Sequence, residues 1–120
     1  MNYKKISKKH ESRIARHLSK IGESAKVQKA SGAMFNKKSD VISELFRIEA
    51  KTKSKLSKSI TLKKEYFEKI HKEALETGKI PVLVFSFGDG QDFYVLEEHD
   101  FSILVQEFKN QGAGNNERKS

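Results

Sequence analysis

The chain contains no cysteine, which excludes disulfides and thiolate metal ligands and fits a reducing cytoplasm. It has no apolar run approaching the roughly 18 to 20 residues of a membrane span. The opening MNYKKISKKHES is basic but has no apolar segment behind it, so it is not expected to be a secretory signal. The histidines at 10, 17, 71 and 99 lack zinc-ligand spacing, and His10 and His17 are expected at the surface. Gly88 and Gly90 have no strand–helix context for a phosphate loop and read as a hairpin. No internal repeat is visible.

What is present is positive charge. Lys and Arg number 24 against 16 Asp and Glu, a net charge of +8 in 120 residues, which suits a polyanionic partner such as nucleic acid or an acidic membrane surface. The length fits one domain, and with 36% hydrophobic and 33% charged residues the core is small and the surface ionic.

The element pattern is that of a small sheet flanked by helices, an α/β domain. Residues 1–7 read as a basic arm. Ile14, Leu18 and Ile21 at helical spacing, with Gly22 as a stop, predict a helix over about 8–21. AKVQKA (25–30) is a short strand candidate, and 31–39 reads as a loop. SDVIS and LFRIEAK predict two adjacent strands joined near Glu44. Thr61 is the expected cap of an amphipathic helix over 62–77, with Leu62, Phe67, Ile70, Ala74 and Leu75 as its apolar stripe and Gly78 beyond it. PVLVFSF reads as a strand buried on both faces, with Phe85, Phe87, Phe93 and Tyr94 as core. GDGQ is a turn, DFYVLEE a further strand, and 99–108 a last helix capped by Asp100. The polar, glycine-rich 110–120 is expected to be a disordered tail.

Chemistry concentrates in FRIEAKTKSKLSK (46–58). At period two, Phe46, Ile48 and Ala50 face one way, and Arg47, Glu49 and Lys51 the other. A carboxylate and an ammonium therefore share one strand face. If the two strands pair antiparallel about Glu44, Asp40 lies at the same end as both. Hard divalent cations favour carboxylate oxygens, and phosphodiester hydrolysis needs such a cation plus an activated water, which a nearby amine helps to orient. The acid-x-Lys triplet alone is unspecific, since it occurs at Glu49–Lys51, Glu107–Lys109 and Glu117–Lys119. Only the first stands on a predicted strand, behind an Asp on a neighbouring one. A solvated strand face with a cross-strand ion pair is the competing reading.

Glu11 in the first helix, SGA (31–33), Asp40 and IEAK (48–51) together resemble the PD-(D/E)xK nuclease superfamily, in particular the archaeal-type and bacteriophage Holliday-junction resolvases. The resemblance covers the first half of the chain in motifs and the second half in element order. It implies a restriction-endonuclease-like fold and one nuclease domain over 1–109. It implies metal ligation by Asp40, Glu49, the Ala50 carbonyl and Glu11, with Glu23 as the rival to Glu11. Lys51 would be the catalytic lysine, and Ser31 would stand on a serine-containing loop near the scissile phosphate. Mg²⁺ or Mn²⁺ would be the cofactor, branched or four-way DNA the substrate, a homodimer the working unit, and the cytoplasm of a bacterial, archaeal or phage-infected cell the location. Where the family carries a proline before the Asp, this chain has Ser39. The motifs of HNH and zinc-finger nucleases are absent. Lys53, Lys55 and Lys58 beside the site, and Lys8 and Lys9 near the N-terminus, are candidate phosphate contacts, with solvated loop and tail as the alternative. A nicking, repair or restriction-like endonuclease of the same superfamily, and a non-catalytic basic nucleic-acid binder, are the rival functions.

Overall fold

Alternation along one strand divides the molecule. The computed structural model describes residues 2–29 and 39–119. Its elements are α1 (Tyr3–Lys20), β1 (Ala25–Val27), β2 (Val41–Ser43), β3 (Phe46–Thr52), α2 (Lys64–Thr77), β4 (Ile80–Ser86), β5 (Phe93–Leu96) and α3 (Glu98–Lys119). The strands form one sheet in sequence order, β1 to β5. β3 and β4 run parallel across the α2 connection, and the other neighbouring pairs are antiparallel. This is the mixed sheet with helices expected from the sequence.

On one face, Ile48 of β3, Val41 of β2, and Val82 and Val84 of β4 pack on Ile14, Ala15 and Leu18 of α1, with Phe46 and Ala50 at the margin. On the other face lie Leu83 of β4 and Ile70 and Ala74 of α2, all essentially buried. Each fully buried aliphatic side chain contributes about 1.5 to 3 kcal/mol. A part-exposed ion pair is worth about 0 to 1. The apolar layers therefore hold the fold, and the charged groups between β3 and α2 do not.

Several boundaries differ from expectation. α1 begins at Tyr3, because the Asn2 side chain caps it by accepting the Lys5 N–H at 2.9 Å. The supposed arm is thus the first turns of this helix, and the Tyr3 hydroxyl donates to the Thr52 carbonyl at 3.2 Å. α2 begins at Lys64 without a side-chain cap, so Thr61 does not serve as one. It ends where Gly78 turns left-handed (φ 66°). Leu75 faces solvent at 73% exposure, outside the stripe assigned to it. α3 continues past 108 to Lys119. Its Gly112 keeps φ out of the left-handed region that stops a helix at Gly78. Phe93 and Tyr94 are part exposed because β5 is a sheet edge. Gly88 has a role beyond its turn: a Cβ there would stand 2.6 Å from the Lys55 carbonyl oxygen. Only glycine lets the 53–57 loop lie so close, where Lys53 N–H and Ser57 N–H donate to the Ser86 and Phe87 carbonyls.

His10, expected at the surface, is buried at 3% exposure. Its Nε2 lies 2.8 Å from Asp92 Oδ1, while Arg13 donates to both Asp92 oxygens at 3.0 and 2.6 Å. These contacts pin α1 to the start of β5. Burial pushes the Asp92 carboxyl up, but the His10 and Arg13 hydrogen bonds outweigh it and hold the pKa at about 2. A depressed carboxylate stabilises the fold above its ordinary value near 3.8 and loses that contribution as pH falls toward 2. Asp92→Asn is therefore expected to lower urea-unfolding stability at pH 7 by about 1 to 2 kcal/mol, after allowance for solvent screening. Its gap to wild type narrows between about pH 4 and pH 2; a gap independent of pH there would deny Asp92 its charged role.

Candidate active site

The β2–β3 hairpin sets the site. Val41 pairs with Ile48 and Ile42 with Arg47, and Asp40 lies just before β2, beside Glu49. Asp40 N–H donates to the Ile48 carbonyl at 2.8 Å, one residue out of the Val41–Ile48 register, so the pairing is irregular there. Asp40 Oδ2 in turn accepts the Ala50 N–H at 2.8 Å. β3 alternates as its sequence predicts: Ile48 and Ala50 lie toward α1, and Glu49 and Lys51 toward α2.

Glu49 is held from both sides. Lys69 Nζ of α2 donates to Oε1 at 3.1 Å, and Lys51 Nζ stands 3.5 Å from Oε2. Lys51 also lies over the Tyr66 ring, 4.1 Å from its centroid, so the amine is steered by an aromatic face as well as a carboxylate. Burial, then the Asp40 carboxylate, push the Glu49 pKa up, against Lys69 and Lys51, which pull it down. The upward terms win. Two lysines do not fully offset the cost of burying Glu49 beside a second carboxylate, and such a pair favours a further positive charge.

Asp40, Glu49, Ala50 and Lys51 therefore come together. Glu11 does not join them on the same face: it is buried on α1, across the sheet from Glu49. It lines a groove with Lys8, Val27 and Gln28, and the Gln28 N–H donates to the Asp40 carbonyl, so the groove opens at the strand end where Asp40 stands. Its rival Glu23 serves elsewhere. Glu23 Oε2 accepts Ser43 Oγ at 2.6 Å and the Leu45 N–H at 2.5 Å, closing the opposite end of the hairpin. Among the described residues no group of three or more His, Cys, Asp or Glu side chains is placed to hold a metal ion. The donor chemistry of Asp40, Glu49 and a neighbouring carbonyl nonetheless fits a hard divalent cation, which takes one or two carboxylates and keeps waters elsewhere. Ser31 lies outside the described residues.

Lys53, Lys55 and Lys58 are exposed on the loop that follows β3. Lys9 of α1 and Lys53 line one cleft of about 170 Å³ with Arg13 and Ser54, so two basic segments distant in sequence meet beside the end of β3. Lys8 opens instead onto the Glu11 groove.

Sequence reasoning missed the α2 contribution. Tyr66, Lys69 and Glu73 stand at i, i+3 and i+7 and meet β3, and Glu73 Oε1 accepts the Ser39 hydroxyl at 2.7 Å. The spacing was readable, but a Lys–Glu pair one turn apart looks like an ordinary solvated helix face. Ser39 is fully buried with φ 68°. A proline, locked near −65°, has no access to that conformation.

No family model matches the chain, and no curated protein does. Among solved structures it is similar to Hjc, a Holliday junction resolvase from the archaeal hyperthermophile Archaeoglobus fulgidus. The TM-score is 0.59 over 73% of this chain and 74% of that one, at 16% sequence identity. Identity this low speaks to the fold and leaves activity to the site. The chain thus has a Holliday-junction-resolvase-like α/β fold, as the motifs in its first half led one to expect.

Proposed function

We propose that this protein is a metal-dependent DNA endonuclease of the PD-(D/E)xK type, acting on four-way or otherwise branched DNA. The observation that carries the reading is the meeting of Asp40 and Glu49 at one end of β3, where Asp40 Oδ2 accepts the Ala50 N–H at 2.8 Å and Lys51 Nζ stands 3.5 Å from the Glu49 carboxylate. Asp40, Glu49 and the Ala50 carbonyl would hold Mg²⁺ or Mn²⁺, with Glu11 reaching the same strand end from α1. The bound cation would supply charge neutralisation at the scissile phosphate and acidify a water. Lys51, set by Glu49 and the Tyr66 ring, orients that water and faces the charge that develops on the phosphate. Ser31, outside the described residues, would be the serine that the resemblance assigns near the scissile phosphate. Lys53, Lys55 and Lys58, with Lys8 and Lys9, bind the flanking backbone, and the shared cleft of Lys9 and Lys53 supports that grouping.

Cutting two strands of a junction takes two active sites, hence a homodimer. An apolar stripe on α3 supports it: Phe101, Leu104, Val105 and Phe108 repeat at helical spacing and are exposed, Phe108 to 80%. No helix among the described residues is long and apolar enough to cross a membrane. The lack of cysteine is consistent with a cytoplasmic setting.

Incubation with a labelled four-way junction and with linear duplex, in Mg²⁺ or in chelator, tests the reading. Symmetric cleavage of the junction in Mg²⁺ alone is expected. Equal cutting of both substrates would point to a general endonuclease, and retardation of both without cutting to a binder. Asp40→Asn is expected to retain junction binding and lower cleavage on the order of 100-fold or more; undiminished cleavage would remove Asp40 from the chemistry. Replacing Lys53, Lys55 and Lys58 by Ala is expected to flatten the salt dependence of junction binding by roughly one unit of log–log slope per lysine that touches a phosphate. An unchanged slope would assign that loop to solvent.

A further inference from the structure

We propose that Lys69 is a resident counter-cation of the Asp40–Glu49 pair, and that a divalent ion displaces it from Glu49 onto Glu73. This rests on the reading of Asp40 and Glu49 as a cation seat and names how that seat is occupied before loading.

Lys69 Nζ lies 3.1 Å from Glu49 Oε1 and 3.8 Å from Glu73 Oε2, the latter one helical turn further along α2. The three side chains differ in freedom. Glu49 and Glu73 are 6% and 10% exposed, whereas Lys69 is 45% exposed and lies across them from the solvent side. Glu49 is fixed by the β3 backbone and by Lys51. Glu73 is fixed through its other oxygen by the fully buried Ser39 hydroxyl at 2.7 Å. The long, half-exposed ammonium stem is thus the least buried member of the cluster, with a second anchored carboxylate already within reach.

Without a cation, Lys69 reduces the repulsion between two carboxylates that the hairpin forces together. A divalent ion held by Asp40 and Glu49 would compete with the ammonium for the Glu49 carboxylate and repel it. Because Nζ is already within 3.8 Å of Glu73, that displacement is a short swing that gives up the Glu49 contact and keeps the Glu73 one. Lys51 remains on Glu49 Oε2, so the two lysines divide the work: one holds its place beside the reacting groups, and the other yields. Lys69 is in this sense a positioning residue.

The test titrates Mn²⁺ into the chelator-treated full chain, without DNA, by isothermal titration calorimetry. Glu49→Gln is expected to abolish binding. Lys69→Met is expected to tighten it by about tenfold, and Lys69→Arg to return it toward wild type. Lys72→Met, which removes the same charge from an exposed position on the same helix, is expected to change it by less than about twofold. Glu73→Gln, which takes away the second seat, should weaken binding in the wild-type background but not alongside Lys69→Met. In chelator, Lys69→Met should melt below wild type, and saturating Mn²⁺ should close the difference. Affinity in Lys69→Met that is unchanged or weaker than wild type would overturn the proposal while leaving the cation seat intact. Failure of the wild type to bind, or equal binding by Glu49→Gln, would remove the seat itself and this role with it.

Discussion

The pairing of Val41 with Ile48 is the constraint on which the site depends. It buries two aliphatic side chains against α1 and brings Asp40, just before β2, beside Glu49 of β3. A slip of one residue would bury a carboxylate against Ile14 and Leu18 and expose Ile48, at a cost of several kcal/mol. The apolar face thus enforces a charged arrangement that is unfavourable in itself. Glu49 is buried beside a second carboxylate, its pKa is raised, and two lysines only partly relieve it. The strain is local, and the layers on either side of the sheet hold it in place.

Position along the chain matters as much as position in the sheet. β3 leaves the core at Thr52 and enters the exposed lysine loop, which Gly88 allows to lie against the end of β4. The start of α1 is tied to the same place through Tyr3 and the Thr52 carbonyl. One end of the sheet therefore gathers the paired carboxylates, the 53–58 lysines and Lys9, while the other end is closed by Glu23 on the hairpin. Charge of the two signs is placed for different work. Asp92 holds His10 and Arg13 and so locks α1 onto β5, while Lys53, Lys55 and Lys58 stay exposed.

Much of this was written in the order of residues. Alternation in FRIEAK fixed which side chains share a face, and the acid one strand earlier followed from the shortness of the turn. α2 and β4 were legible because an apolar stripe and an apolar run have few alternatives. What escaped was non-local. His10 is buried only because Asp92, distant in sequence, meets it, and no spacing rule reports such a pair. Lys69 and Glu73 read as a solvated helix face until β3 is laid against them. Helix ends were misplaced where capping and glycine conformation decide: Asn2 starts α1 early, and Gly112 does not stop α3 as Gly78 stops α2.

Likeness to an archaeal resolvase establishes the arrangement of strands and helices, and the proposed chemistry rests on two carboxylates that meet at one end of the hairpin. Anomalous diffraction from crystals grown with Mn²⁺ examines that pair directly. A single strong peak within coordination distance of both Asp40 and Glu49, with Lys69 Nζ withdrawn from Glu49, is the result expected. Crystals saturated with Mn²⁺ that show no peak between those carboxylates would contradict it.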